Sequence, residues 1–419
     1  MKTSFAQRTA ARLALAAIAA FYLLPTLRAD WPQWRGPDRT ELSKETGLLK
    51  TWPPDGPKRL WLSKEAGLGY SGPAVVQGKL FTLGVRKDEE QLIAFDVQDG
   101  KELWAAPMGD PLKNNWGDGP RGTPTVDGGF VYALSGQGTL VCVQVADGKV
   151  IWQKSLHDFG GRTPGWGYTE SVLVDGNKVV CTPGGKKGAL LALDKKTGDT
   201  IWQSKEFTDD AQYASIIPAD INGQRQYVQL TTKHFVGIGA DDGKLLWSAD
   251  FPGSTAVIPT PIVQGNQVYV TAGYGAGSKS IKVGPKNELT ELYANKVMKN
   301  HHGGAILLDG HVYGYSDGPG WVCQDFQTGE EVWAEKNALG KGCITYADGM
   351  FICMSEGNGT VVLIEASSKG WKEHGRFKLD PQTTQRSPSG HIWTHPVATG
   401  GRLYLRDQEL LACYDLKNR

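Results

Sequence analysis

Beyond Leu24 the chain has no apolar run that approaches the length of a membrane span, so the bulk of the protein is expected outside the bilayer. It has no excess of either charge: 45 Lys and Arg face 44 Asp and Glu, which leaves no bulk field to attract nucleic acid or an anionic membrane. The six cysteines include no adjacent pair and no C-x-x-C spacing, which removes the usual zinc patterns. Phosphate loops are missing too. The glycines of residues 182–185 and 273–277 lack the G-x-G-x-x-G or Walker spacing before a helix and read as strand-end loops. No serine stands between glycines as a nucleophile elbow. His301-His302 and His391-x-x-x-His395 have no acidic third ligand in the pattern, and the second pair falls where a loop enters a strand, so helical spacing loses its meaning there. His391 and His395 would share a strand face, too far apart to be neighbouring ligands.

What the chain has in abundance is glycine, 54 residues, and tryptophan, 14, a mixture that suits many short strands joined by tight turns. Its start has the order of an export leader: Lys2, Arg8 and Arg12, an uncharged apolar stretch from Leu13 to Leu24, then small residues to Ala29. The expected organisation is a signal peptide over 1–29, cleaved near Ala29, an N-terminal arm over 30–57 and a repeat domain over 58–419. An uncleaved N-terminal anchor is the alternative for the leader.

The repeat decides the fold. Ala192-Leu193-Asp194-Lys195-Lys196-Thr197-Gly198, followed by Trp202, is its clearest copy. The phrase returns from Ala94 to Trp104, and around Asp147-Gly148 to Trp152, Asp242-Gly243 to Trp247 and Thr328-Gly329 to Trp333. Successive tryptophans are roughly 45–50 residues apart, the size of one four-stranded propeller blade. Each phrase follows a strand–turn–strand element such as Pro73 to Phe81 or Pro261 to Tyr269, which reads as a hairpin. One blade cannot bury both faces, so the repeats must stack and close. The last repeat stops at Asp415 without a Trp strand, and the missing strand stands at the other end as Lys58-Arg59-Leu60-Trp61-Leu62. The sequence therefore predicts an all-β, single eight-bladed β-propeller whose last blade is closed by the strand around Trp61; seven blades is the competing count. Blade five is irregular, with residues 278–300 read as a partly inserted or helical segment. Blade seven lacks a tight Asp-Gly-Trp ending.

On these residues the chain resembles the tryptophan-docking repeats of the quinoprotein dehydrogenases and the PQQ-like propeller superfamily, to which the BamB-type assembly factor of the bacterial outer membrane also belongs. The phrase Asp30-Trp31-Pro32-Gln33-Trp34-Arg35-Gly36-Pro37 is similar to secreted PQQ-like repeat proteins of planctomycete type. The resemblance covers nearly all of the chain after the leader and implies fold more than activity. Resemblance to the catalytic members would imply PQQ, Ca²⁺ with carboxylate and amide ligands, an Asp base and a disulfide between adjacent cysteines. No adjacent cysteines and no matching Glu, Asn and Asp set can be placed here, so no catalytic residue and no metal ligand is assigned.

Three cysteines, Cys142, Cys323 and Cys413, occupy the repeat slot filled elsewhere by Ala94, Ala192 and Gly237, a slot for a small side chain in a packed strand. Cys181, Cys343 and Cys353 also sit in apolar strands, and Cys343 and Cys353 fall out of register within one hairpin. Buried free thiols are expected. Arg35, Asp38, Arg39 and Glu41 read as a solvated or docking arm.

In a propeller the first strand of each blade lines the central channel, so the loops that enter those strands meet at one mouth. These loops carry Trp116, Asp118 and Arg121, then Trp166, Tyr168 and Glu170, then Tyr213, His301, His302, His391 and Trp393. Polar groups converging amid aromatic surface make a ligand pocket; filling the funnel is their structural alternative. The expected function is thus an exported, periplasmic or secreted, non-enzymatic binding or scaffold module. Its partner at the channel mouth would be a protein, a glycan or a polar small molecule; the chain is expected as a monomer, with no nucleic-acid partner and no membrane span. A PQQ- and Ca²⁺-dependent oxidoreductase acting on alcohols or sugars is the alternative.

Overall fold

The structure, a computed structural model, describes residues 30–418; the expected leader and its cleavage site at residues 1–29 lie outside the described residues. Eight antiparallel sheets of four strands follow one another along the chain, with a short extra strand on one of them. Seven blades are built from consecutive strands. The eighth combines Val397–Thr399, Arg402–Asp407 and Leu410–Asp415 with the outer strand Arg59–Ser63, and Trp61 stands opposite Cys413. The N-terminal strand thus closes the ring. No helix among the described residues is long and apolar enough to cross a membrane.

The repeat phrase has a physical job. The indole N–H of Trp61 donates to the carbonyl of Val97 in the next blade at 2.9 Å. Trp104 does the same to Val145 at 3.1 Å, Trp152 to Lys195 at 3.1 Å and Trp202 to Ala240 at 3.1 Å. Each ring lies on the turn glycine of that next blade. At Gly100 a Cβ would come within 2.5 Å of Trp61, and its φ of +72° suits glycine independently. The phrase therefore docks these four blades on their successors.

Blade five corrects the expectation of an inserted or helical segment. Residues 278–300 contain two regular strands, Gly277–Val283 and Leu289–Asn295. The turn that joins them has no Asp-Gly-Trp continuation, and its Gly284 carbonyl accepts from Asn222 at 2.8 Å. Tyr293 stands where the tryptophan would, lying against Gly329 and donating its hydroxyl to Phe326 O at 3.0 Å. Because Asn222 holds the carbonyls of Val283 and Gly284, Trp247 turns inward instead and donates to Gln226 Oε1 at 2.6 Å. Blade seven is complete in its strands but carries Gly375 at the tryptophan register, opposite Leu363. Trp52 of the arm packs edge-on against Phe377 there, with centroids 5.4 Å apart.

All six cysteines are buried. Cys142, Cys323 and Cys413 pair across the sheet with Trp152, Trp333 and Trp61, as Ala94, Ala192 and Gly237 pair with their own tryptophans. Cys343 pairs with Met354 and Cys353 with Ile344, one residue out of register.

Of the two readings of this segment, a solvated or a docking arm, the structure excludes the solvated one: Arg35, Arg39 and Glu41 are all buried, and only Asp38 of that group is exposed. Residues 31–43 fill the channel as a hub that bonds to every blade. Trp31 bridges Val75, and Pro32 O accepts from Val126 N at 2.7 Å. Arg39 donates to Ser171 O at 2.8 Å, Val172 O at 2.7 Å and Ile216 O at 2.6 Å. Trp34 donates to Thr260 at 3.0 Å, and Arg35 to the carbonyl of Ala305. Leu42–Ser43 runs parallel to Gly342–Ala347 on its channel side, and Ser43 donates to Ala398 O at 2.7 Å. Arg35, Arg39 and Glu41 take φ of +61°, +56° and +65°, a left-handed conformation costly for non-glycine residues. That cost falls on the three residues whose side chains fasten the hub, where the surrounding contacts hold the backbone in place.

Candidate functional site

With the channel filled from within, the mouth where the blade-entry loops meet is a blind pocket. It encloses about 180 Å³, below the ~300–1,000 Å³ usual for drug-sized sites, which restricts an occupant to about one ring. Trp34 of the hub is part of its lining.

The convergence expected from the sequence is present for Trp116, Arg121, Trp166, Tyr213, His301, His302 and Trp393, all of which line the pocket. It fails for four. Asp118 turns back on its own loop, accepting from Asn114 N at 2.9 Å and pairing with Lys113. Tyr168 is buried between blades and donates to Pro183 O at 3.1 Å. Glu170 is buried and accepts from Thr182 N at 2.7 Å. His391 is exposed beside Trp393, in a loop rather than on a strand face with His395. Alternation explains Tyr168 and Glu170: next to lining residues in sequence, they point away into the blade packing. Sequence reasoning missed Trp34, Tyr70, Tyr274 and His395, and the small hydroxyls Thr169, Ser171 and Ser215. Tyr70 and His395 stand at blade-entry positions like the others, a signal that could have found them; Trp34 had none, because the hub is not part of the repeat.

The walls are aromatic. Trp166 and Tyr213 stack with centroids 5.2 Å apart, Tyr70 and Trp393 meet at 4.9 Å, and Trp34 meets the ring of His395 at 4.6 Å. Arg121 lies over Tyr70, 5.0 Å from the ring centroid, and donates to the carbonyls of Gly119 and Gly117 at 3.1 Å each. Burial pushes the Tyr213 phenol up to about 12.

The histidines differ in charge. Lys341 donates to His301 Nδ1 at 2.8 Å and to Asp317 at 2.7 Å. Burial, with His302 and Lys341 adding to it, holds His301 down at about 2, so it is neutral. His302 pairs with Glu356 at 2.7 Å. In His395 both ring nitrogens face oxygens: Nδ1 meets the Glu41 carboxylate at 3.2 Å and Nε2 the carbonyl of His302 at 2.8 Å. Two acceptors require two protons, so this imidazole is charged. Burial alone would lower its pKa, but Cys343 and Glu41 outweigh that and raise it well above the ordinary 6.5.

Among the described residues no Asp, Glu, Asn or Gln lines the pocket, and no group of three or more His, Cys, Asp and Glu is placed to hold a metal ion. A Ca²⁺ takes carboxylate and amide oxygens. The lining therefore does not fit the Ca²⁺–quinone site that the catalytic quinoproteins would imply, and no step is derived through it.

Comparison with known proteins agrees with this architecture. A family model described as outer membrane protein assembly factor BamB matches residues 88–335. The chain is 25% identical over 212 residues to the outer membrane protein assembly factor BamB of Alkalilimnicola ehrlichii, covering 49% of this chain and 50% of that protein. The match thus spans about half the length of such relatives. Among solved structures, BamB from Moraxella catarrhalis superposes with a TM-score of 0.55 at 14% identity, covering 80% of this chain and 94% of that one. The quinohemoprotein alcohol dehydrogenase from Comamonas testosteroni superposes with a TM-score of 0.63 at 12% identity, covering 93% and 81%. Likeness at such identity speaks to the fold alone.

Proposed function

Since the chain belongs to the PQQ-like β-propeller family of outer membrane protein assembly factor BamB, we propose that it is a non-enzymatic binding module that holds its partner at the blind mouth of the channel. The observation that carries this reading is the pocket itself: a ring of aromatic side chains around Arg121, floored by a hub that every blade grips. A hub fastened at such cost keeps the walls of a site in place, as binding demands. Among the described residues the lining holds no carboxylate–amide set of the kind that the catalytic quinoproteins would imply. Protein, glycan and polar small molecule are the partner classes that suit a mouth of this kind. The eleven mouth residues named from sequence divide accordingly, with Trp166 and Arg121 in the binding surface and Tyr168 and Glu170 supporting it. Residues 1–29 serve as the export leader in this reading, and the partner is met in the periplasm or outside the cell by a monomer. N-terminal sequencing of the exported protein tests cleavage near Ala29.

The test is a thermal-shift screen of the exported protein against a metabolite and glycan library, in parallel with Trp166→Ala. Compounds that raise the melting temperature of the parent and not of the variant, at equal starting stability, support the reading. Calorimetric titration with PQQ, with and without Ca²⁺, is the counter-test. Tight, Ca²⁺-dependent binding overturns the non-enzymatic reading in favour of a quinoprotein oxidoreductase.

A further inference from the structure

The pocket offers hydrogen-bond donors and almost nothing that accepts strongly. Arg121 makes no ion pair among the described residues: it donates to two backbone carbonyls and stands beside the Tyr213 hydroxyl. The indole N–H groups of Trp166 and Trp393 and the hydroxyl of Thr169 are buried without a hydrogen-bond partner. Thr169 itself is only 7% exposed. Buried donors left unmet are costly, and each of these three residues borders the cavity.

The charge beneath the floor has the same sign. Ser171 and Ser215 line the pocket, and directly behind Ser171 the guanidinium of Arg39 is buried on the carbonyls of Ser171, Val172 and Ile216 and the side-chain oxygen of Gln33. All four acceptors are neutral, and Arg39 makes no ion pair among the described residues. The nearby carboxyl of Glu170 does not offset it fully, since burial holds that group up at about 7. His395 adds a second buried cation, matched by Glu41. The remaining acidic groups near the walls are engaged: Glu356 by His302 at 2.7 Å and Asp317 by Lys341 at 2.7 Å. An aromatic-walled pocket above a guanidinium that has no ion-pair partner among the described residues favours negative charge.

Shape supplies the rest. The stacked Trp166–Tyr213 pair and the Tyr70–Trp393 pair present flat apolar faces to a space of about 180 Å³, room for about one ring. We infer that the pocket takes a small single-ring carboxylate, its ring between the aromatic walls and its carboxylate on Arg121. This inference rests on the reading of the mouth as a binding site and adds the chemical class of its ligand. A sugar acid and an aromatic acid share this chemistry.

Calorimetric titration of the exported protein with two matched pairs tests it: glucuronate against glucose, and benzoate against benzyl alcohol. The acid of at least one pair is expected to bind tenfold or more tighter than its neutral partner, with an affinity that weakens as salt is raised. Arg121→Gln should cost that acid about ten- to a hundredfold, and glucuronate or benzoate as the tighter acid identifies the source. Equal affinity of acid and neutral partner overturns the anion inference and leaves the binding reading standing. Failure of all four probes overturns the inference as well; the library screen against Trp166→Ala then decides separately whether the mouth binds at all. The wild-type comparison holds even where an Arg121 variant folds poorly.

Discussion

The guanidinium of Arg39 donates to the carbonyl of Val172 at 2.7 Å across 133 residues of chain. That bond and its companions to Ser171 and Ile216 tie the channel-filling hub to the loops that enter blades three and four. Arg39→Met keeps the apolar stem and strands the carbonyls of Ser171 and Ile216 and the side-chain oxygen of Gln33, while Val172 O keeps the Thr125 hydroxyl. With about 1–3 kcal/mol for each unmet group, stability should fall by about 3 kcal/mol or more, read from the midpoint of urea unfolding. A loss below about 1 kcal/mol would mean that the hub is an ornament on a ring that closes without it.

Closure by Trp61 makes a second expectation. Its ring covers Gly100 and its N–H reaches Val97, so Trp61→Ala removes both a large buried surface and the bond that joins blade eight to blade one. The cost should be about 3–5 kcal/mol. Trp61→Phe keeps most of the surface and loses the hydrogen bond, for about 1 kcal/mol. Equal costs for the two variants would show that the N–H, not the packing, closes the ring.

The small-residue slot opposite each tryptophan gives a third. At Gly237 an added Cβ would lie 2.2 Å from Trp247 Nε1 and 2.3 Å from Gln226 Oε1, because Trp247 has turned inward in that blade. Gly237→Ala should therefore destabilise by about 1–3 kcal/mol through overpacking, whereas Cys413→Ala in the equivalent slot should cost less than about 1.5 kcal/mol. Melting of the two variants side by side checks the order, and the reverse order would refute the account of Trp247.

These contrasts mark how far the sequence can be read. Blade number, the closing strand and the cysteine slot were legible because each follows from a repeat: Trp61 completes a phrase whose other copies define what is missing. Blade five was misread because Tyr293 substitutes for tryptophan and the hairpin before it pairs further, to Val283 and Leu289, so the phrase disappears while the alternation of the strands persists. The hub was illegible for a different reason. Arg35, Arg39 and Glu41 are charged residues near the start of the repeat domain, and their usual fate is solvent; only the backbone carbonyls and amides that the eight blades turn toward the channel, which no local pattern encodes, make burial favourable there. The site shared both fates. Arg121 and Trp166 were visible as loop residues above the first strands, Trp34 was hidden in the hub, and Glu170 was misplaced because a single step along the chain reverses the side-chain direction.

Glu90 and Glu170 predict how stability responds to pH. Burial lifts both carboxyl groups from the ordinary 4.5 to about 7. Backbone donors, from Gly136 to Glu90 and from Thr182 to Glu170, offset part of that. In both groups the folded state holds its proton more tightly than the unfolded chain does. Their contribution to stability is therefore complete below about pH 4.5, and it is lost as pH rises toward 7, while the unfolded chain ionises and the folded one does not. Each tenfold difference in proton affinity between the two states is worth about 1.4 kcal/mol, so each group accounts for a fall of about 3 kcal/mol. The protein should accordingly be more stable to urea at pH 5 than at pH 8. Glu90→Gln, which keeps an acceptor for Gly136 N–H and cannot ionise, should flatten that dependence by about half. A stability that rises from pH 5 to pH 8 would show that these carboxyls are ionised in the folded protein and that Arg39 is matched by Glu170 after all; a Glu90→Gln profile parallel to the parent's would show the first of Glu90 alone.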